Sequence, residues 1–165
     1  MKQIPLTQGK FALVDDEDYE YLMQWRWYYD HGYAIRNTFV SRAEGKQTNK
    51  RTYMHREILQ TPKNMLSDHI DGNKINNQRN NLRCVTASQN SMNAKCDKNT
   101  SSGFKGVSWH KRRNKWSSYI TVDKKIKYLG YFEDKISAAI TYNSMALKHF
   151  GEFARLNIIP DRTYD

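Results

Sequence analysis

The sequence predicts an α+β chain made of two small regions in series, and three observations support this. Short segments rich in aromatic and β-branched residues alternate with polar turns over residues 1–60, and again from Gly103 onward. A long segment at 133–150 is typical of a helix that begins at acids and ends at Gly151. A polar stretch at 95–102 has few apolar residues and predicts a linker. We therefore expect an N-terminal region at 1–94 and a C-terminal region at 103–160.

The N-terminal region has recognisable local signals. Residues 10–14 predict a strand, and the acids at 16–18 that follow favour a helix over about 18–25. On that helix Tyr21, Leu22 and Trp25 form an apolar stripe. Residues 33–36 and 51–54 predict further strands, separated by a polar loop at 41–50.

The C-terminal region predicts a three-stranded antiparallel sheet with one packed helix. The expected strands are 104–109, 116–122 and 126–131, joined by polar, basic turns. Along the middle strand, Trp116, Ser118, Ile120 and Val122 alternate with Ser117, Tyr119 and Thr121, which predicts one buried and one open face. The small residues Ala138, Ala139 and Ala146 allow the helix at 133–150 to lie close on that sheet.

Charge indicates a polyanionic partner. The chain has 27 Lys and Arg against 17 Asp and Glu, a formal net charge of +10. Between Lys105 and Lys127, eight basic residues are opposed only by Asp123, and such a concentrated patch favours nucleic acid. The alternatives are an ordinary basic protein and a solvated basic face. Charge alone does not distinguish DNA from RNA.

Other features bear on cellular location. No apolar run reaches membrane-spanning length, and the first 20 residues lack the apolar stretch of a signal peptide. Cys84 and Cys96 lack partners at zinc-finger spacing, so we expect reduced thiols. These observations predict a cytoplasmic protein, in a bacterium or a phage-infected host, that does not bind membranes.

The segment 61–94 is rich in Asn and holds an adjacent Asp68-His69 pair. Asn favours turns, but the turn at 71–73 alone does not require this many amides. His is suited to base catalysis near neutral pH, and the oxygens of Asp and Asn are ligands that Mg²⁺ prefers. Such residues in one segment indicate metal-assisted hydrolysis, for which a turn-rich structural segment is the alternative.

This segment, Asp68-His69-Ile70-Asp71-Gly72-Asn73 with Asn80-Asn81-Leu82-Arg83 and Val85-Thr86 following, resembles the Asn-rich HNH endonucleases of the homing type. The resemblance implies the ββα-metal (His-Me finger) fold. It also implies His69 as general base, Asn81 as the residue that orients it, and Asp68 and Asn90 as ligands of one Mg²⁺, for which Mn²⁺ substitutes. Products with a 5′-phosphate and a 3′-hydroxyl are implied as well. Asn90 stands where the family name has a second His.

The preceding stretch at 53–59 also resembles the lead-in to the nuclease core of that family. By that resemblance, His55 and Arg56 would contact the phosphate of the cleaved strand, with Arg as a bidentate donor. The alternative for His55 is a packing residue at a strand–helix junction.

The C-terminal region resembles the Apetala-type domain of ethylene-response factors, on Gly103-Phe104-Lys105-Gly106-Val107, Lys115-Trp116 and the run from Tyr128 to Phe132. The resemblance implies a sheet that binds the DNA major groove. This chain has Ser108 and His110 where the plant domain has Arg, and Tyr119 in place of an acid, so the plant target sequence does not transfer. The candidate DNA-binding residues are Lys105, His110, Arg112, Arg113, Lys115, Tyr119, Thr121, Lys127 and Tyr128.

Together these features predict a sequence-specific, divalent-metal-dependent endonuclease acting on double-stranded DNA. With one active site per chain, a monomer would nick one strand, and a dimer or two successive events would cut both. One alternative is a DNA-binding regulator with an inactive nuclease core. Another is a non-homing phage or restriction nuclease with the same core.

Overall fold

The structure is a computed structural model, and it describes residues 1–43, 46–96 and 100–160. The chain forms two compact units, Met1–Asn90 and Ser91–Asp165. The described residues form four small antiparallel sheets and four α-helices, which confirms the mixed α/β class. Residues 97–99, at the centre of the predicted linker, lie outside the described residues.

The first unit begins with a hairpin of β1 (Lys2–Pro5) and β2 (Phe11–Val14). Helix α1 (Asp16–Leu22) follows, earlier than the predicted 18–25. Asp15 is extended at the N-cap, so three acids occupy the first turn, where they complement the positive end of the helix dipole. Trp25 lies beyond the helix. The unit's core is formed by apolar side chains from these elements and their neighbours: Ile4, Leu6, Ala12, Val14, Leu22, Trp27, Ala34, Met54, Ile58 and Leu82.

A second sheet has the strand order β3–β4–β5, formed by Tyr28–Asp30, Tyr33–Ala43 and Lys46–Tyr53. The predicted polar loop at 41–50 is therefore wrong, because β4 and β5 pair through most of it. Residues 37–41 and 48–51 are exposed, including Phe39 and Val40. A ribbon exposed on both faces needs no apolar alternation, and its backbone hydrogen bonds define the strands instead.

The central segment forms a second hairpin between two short helices. Helix α2 (Met54–Leu59) precedes β6 (Leu66–His69), which pairs antiparallel with β7 (Leu82–Val85). Helix α3 (Ala87–Met92) follows β7 after one residue. The long loop at 70–81 joins the two strands and ends in a 3-10 turn, Arg79–Asn81. In this order of elements, Asp68 and His69 lie at the end of β6, and Asn90 lies in the helix that follows β7.

The second unit is a three-stranded sheet with the order β10–β9–β8, formed by Lys125–Phe132, Lys115–Val122 and Val107–His110. Helix α4 (Lys135–Phe150) packs on it, and the N-cap Asp134 accepts a 2.8 Å bond from the Ser137 amide. Strand β8 starts three residues later than predicted. The reason is a turn in which Ser102 Oγ donates to the Val107 carbonyl at 2.7 Å.

The helix lies close to the sheet at Gly106, which has a φ of +73°. A Cβ at Gly106 would lie 2.1 Å from a ring carbon of Tyr142, so glycine is required there. Ile120, Tyr142, Ala146 and Phe150 form the adjoining core. Among the residues that the structure describes, no helix is long and apolar enough to cross a membrane.

Candidate functional site

His69 ends strand β6 and is buried, with 5% of its surface exposed. Its ring packs edge to face on His55, with ring centroids 4.9 Å apart. Tyr33 and Tyr53 complete the cluster, since Tyr33 contacts both imidazoles and Tyr53 contacts His55. The candidate base is therefore held by aromatic packing on the first unit's second sheet and helix α2.

A side chain not singled out from the sequence contacts His69. The Nε2 atom of His69 lies 3.3 Å from Oδ1 of Asn77, which is fully buried. Because an amide oxygen only accepts, this contact favours the tautomer in which Nε2 carries the proton. The lone pair is then on Nδ1, the nitrogen able to take a proton from water. Asn77 is one of eight asparagines in the segment 61–94, and nothing in the pattern distinguished it.

Asn77 is in turn fixed by the N-terminal hairpin. Its amide donates to the Leu13 carbonyl at 2.8 Å, and the Leu13 amide donates to the Ile75 carbonyl at 2.8 Å. Asp15 adds two bonds, accepting from the Gln78 side chain at 3.1 Å and from the Arg79 amide at 2.7 Å. The loop that contacts His69 is therefore attached along its length to β2 and the start of α1.

Burial keeps both imidazoles neutral. It lowers the pKa of His55 to about 3, with smaller contributions from the charges of His69 and Arg56. It also lowers the pKa of His69, against the opposing effect of the bond to Asn77. A neutral imidazole is the form that acts as a base. The Nδ1 atom of His55 is buried, and no hydrogen-bond partner for it exists within the described ranges.

Asn81, predicted to orient the base, contacts the loop after it. Its Nδ2 donates to Asp71 Oδ1 at 3.0 Å and to the Asn76 carbonyl at 2.8 Å, and its Oδ1 accepts from the Asp71 amide. Burial alone would raise the pKa of Asp71, but hydrogen bonds from Asn73, Asn76 and Asn81 outweigh it and lower that pKa. Asn81 thus fixes the turn that leaves His69, while Asn77 contacts the ring itself.

Asp68, the predicted metal ligand next to the base, is buried and pairs across the hairpin with Arg83. Both Nε and a terminal nitrogen of Arg83 donate to Asp68 Oδ2, at 3.0 and 2.9 Å. The second predicted ligand, Asn90, lies half-buried in α3. Hydrogen bonds between Thr86 and Gln89 close the start of this helix.

The donors that Asp68 and Asn90 offer are one carboxylate and one amide oxygen. Carboxylate and amide oxygens suit Mg²⁺, which keeps several waters and needs only one or two carboxylates from the protein. In the part of the chain that is described, no three His, Cys, Asp or Glu residues cluster as a preformed cage. A carboxylate and an amide oxygen are donor types that suit a hydrated hard cation better than zinc.

Arg56 lies on α2, in the wall of a cavity of about 450 Å³. Its guanidinium makes long contacts, at 3.5 Å, with the carbonyls of Thr61 and Pro62. The other lining residues are Arg36, Thr38, Lys50, Arg51, Thr52, Tyr53 and Glu57. Four cations against one acid make this cavity electropositive. Arg56 is thus open to an anion, whereas His55 lies buried behind it.

In the second unit, strand register divides the predicted DNA-binding residues between two faces. Tyr119 pairs with Tyr128 across β9 and β10, on the face away from α4. Five candidates share this open face: His110, Lys115, Tyr119, Thr121 and Tyr128. Tyr131 also lies on it and contacts the His110 ring and the Arg113 guanidinium. Arg112 and Arg113 are exposed in the turn beside it.

Two of the predicted residues are placed differently. Lys127 pairs with Ile120, which is buried against α4, so its side chain leaves the sheet on the helix side. The Lys105 ammonium donates to the carbonyls of Met92 and Ala94, at 2.6 and 2.8 Å. Burial, with the charge of Arg155, lowers the pKa of Lys105 to about 8. Its charge is used inside the unit, which the sequence did not indicate.

A strand ending in Asp-His, a hairpin partner and a following helix with a polar amide define a nuclease-like site. A family model described as HNH endonuclease matches residues 60–92. The chain is 36% identical over 157 residues to a protein of Acanthamoeba polyphaga mimivirus described as an uncharacterized HNH endonuclease. That alignment covers 92% of this chain and 77% of the viral protein. The chain therefore belongs to the HNH endonuclease family and is a DNA endonuclease.

A further relative is Protein 3.8 of Escherichia phage T7, with 44% identity over 64 residues. This alignment covers 39% of the present chain and 53% of the phage protein, so it spans about half of that relative. No solved structure matches the chain.

Proposed function

We propose that the protein is a sequence-specific, divalent-metal-dependent endonuclease of the ββα-metal type, with His69 as general base. The observation that carries the proposal is the buried His69, held by Asn77 and His55 and preceded in strand β6 by Asp68. Its Nδ1 lone pair accepts the proton of the water that attacks phosphorus, and the P–O bond opposite the water breaks.

Asp68 and Asn90 would hold one Mg²⁺ ion, for which Mn²⁺ substitutes. Its charge would stabilise the negative charge that develops on the leaving oxygen. Asn77 and Asn81 act as positioning residues: the first fixes the His69 ring and the second the turn after it. Arg56 supplies a cation to a backbone phosphate of the cleaved strand, supported by its electropositive cavity.

The second unit would select the DNA sequence. Its open face carries aromatic, hydroxyl and imidazole groups beside the exposed cations Arg112 and Arg113, which suits a sheet that reads a groove. One active site per chain implies that a monomer nicks one strand. A homing role remains part of this proposal. The similarity to a T7 protein and a giant-virus protein is also compatible with the non-homing alternative.

The test incubates supercoiled plasmid carrying the gene's own flanking DNA with the protein, with and without Mg²⁺. Wild type should give nicked product only with metal. His69→Ala should reduce the rate by about 10²–10⁴-fold and leave DNA affinity unchanged. His31→Ala, at an exposed histidine, is the matched control and should cut normally.

Binding without cutting in either Mg²⁺ or Mn²⁺ would instead favour the regulator with an inactive core. A homing enzyme should cut an intron-free copy of its target gene at the intron insertion point and should leave unrelated plasmid uncut. A general phage nuclease should also cut unrelated plasmid.

A further inference from the structure

Asp68 and Arg83 form a buried ion pair at the proposed metal site. Their side chains are 9% and 13% exposed, and they face each other across β6 and β7. Two nitrogens of Arg83 bond the same oxygen, Oδ2. A carboxylate buried to this degree needs a counter-charge, since an unpaired buried charge is strongly destabilising. In the protein without metal, Arg83 provides that charge.

The same geometry opposes a cation. A divalent ion binding through Oδ2 would compete with two charge-assisted hydrogen bonds and would be repelled by the guanidinium. A metal bound through Oδ2 would therefore have to displace or loosen Arg83, and a metal bound through the other carboxylate oxygen would still be repelled by the guanidinium. Sequence gave no sign of this, because Arg83 reads as an ordinary cross-strand residue of β7.

We propose that Arg83 is a built-in competitor of the metal: it holds the Asp68 carboxylate in the metal-free protein and weakens metal binding. This inference rests on the proposed role of Asp68 as a ligand. It makes Arg83 a positioning residue that orders and stabilises the metal-free site and lowers the affinity of that site for metal. Metal occupancy is then set by competition rather than by the donor oxygens alone.

The chain offers a matched control in the same unit. Arg79 pairs with Asp18, a side chain 8% exposed, through bonds of 2.8 and 2.6 Å. Asp18 lies on α1 and is not a candidate ligand. Arg79→Gln removes an Arg–Asp pair whose carboxylate is buried, although Arg79 itself is 49% exposed and also pairs with Glu17. It measures the cost of losing such a pair away from the proposed ligands.

The experiment is isothermal titration of the full chain with MnCl₂ and with MgCl₂, without DNA, beside thermal unfolding with and without metal. Arg83→Gln should bind metal on the order of ten-fold more tightly than wild type, because its competitor is gone. Without metal, its melting temperature should be lower than that of wild type, and Mn²⁺ should raise that temperature more than it does for wild type. Arg79→Gln should melt lower but keep wild-type metal affinity.

Unchanged or weaker metal binding by Arg83→Gln overturns the inference. If that variant does not fold, Arg83→Lys provides the test, since a lysine keeps the charge but cannot donate from two fixed nitrogens to Oδ2. It should bind metal more tightly than wild type, and equal or weaker binding overturns the inference. The Asp68→Asn variant tests the assignment of Asp68 as a ligand separately from the role of Arg83. Loss of metal binding in this variant supports Asp68 as ligand, whereas retained wild-type affinity refutes that assignment and the inference built on it.

Discussion

The rings of His55 and His69 meet edge to face with centroids 4.9 Å apart, and both side chains are about 95% buried. The first lies on α2 and the second at the end of β6, so two elements share one pair of imidazoles. Because His55 is buried inside the unit, its ring contacts the proposed base and is not exposed to a ligand.

This pair predicts a stability that depends on pH. The folded-state pKa of His55 is lowered from 6.5 to about 3, so the unfolded chain binds the proton more readily. Stability is complete above the unfolded value and is lost as the pH falls from 6.5 towards 3. The slope should approach about 1.4 kcal/mol per pH unit for each histidine that titrates.

Urea unfolding between about pH 4.5 and pH 7 measures this slope. His55→Phe keeps a ring in place and should flatten the curve while retaining nuclease activity within about ten-fold. An unaltered slope in His55→Phe would contradict the assignment to His55. A loss of activity as large as in His69→Ala would show that His55 has a direct catalytic role.

Asn77→Ala should slow cleavage by roughly ten- to a hundred-fold, because the ring of His69 loses the amide that fixes its tautomer and orientation. Single-turnover cleavage and DNA affinity are measured separately, and only the first should change. Asn80→Ala, at an exposed neighbour, is the control and should match wild type. A fall in affinity equal to the fall in rate would indicate a DNA contact instead.

Arg112→Ala with Arg113→Ala should weaken DNA binding and reduce the slope of log affinity against log salt by about 1 per lost phosphate contact. Fluorescence anisotropy on a duplex over a salt series gives that slope. Lys105→Ala should leave the slope unchanged and lower the melting temperature, because its ammonium bonds the carbonyls of Met92 and Ala94. A salt slope reduced by Lys105→Ala would show that the ammonium leaves those carbonyls for DNA.

Two glycines of equal φ, +73°, allow a clean comparison of crowding. At Gly103 a Cβ meets nothing within 4 Å, whereas at Gly106 it would overlap the Tyr142 ring and approach the Tyr119 carbonyl at 2.6 Å. Gly103→Ala should cost about 1–2 kcal/mol from backbone strain alone. Gly106→Ala should cost at least about 2 kcal/mol more, measured by denaturant unfolding. Equal costs would mean that α4 shifts freely away from the sheet.

Local patterns predicted much of the fold. The alternation along 116–122 gave the correct buried and open faces of β9, because the sheet has a helix on one side only. The ribbon of β4 and β5 could not be predicted in this way, since neither of its outer faces is buried. The contacts of Asn77 and Lys105 were not foreseen for a related reason: both depend on residues distant in sequence, Leu13 for the one and Met92 and Ala94 for the other.

The bonds between Leu13 and the loop at 75–77 have a consequence for how this enzyme can be divided. The stretch recognised by the family model, residues 60–92, does not contain the strand that fixes the partner of its own histidine. Excised or grafted onto another protein, that stretch would lose Leu13, Asp15 and the Tyr33 and His55 rings together. An engineered fusion should therefore keep residues 1–59 attached to the motif, and it should keep helix α3 intact to its end at Met92.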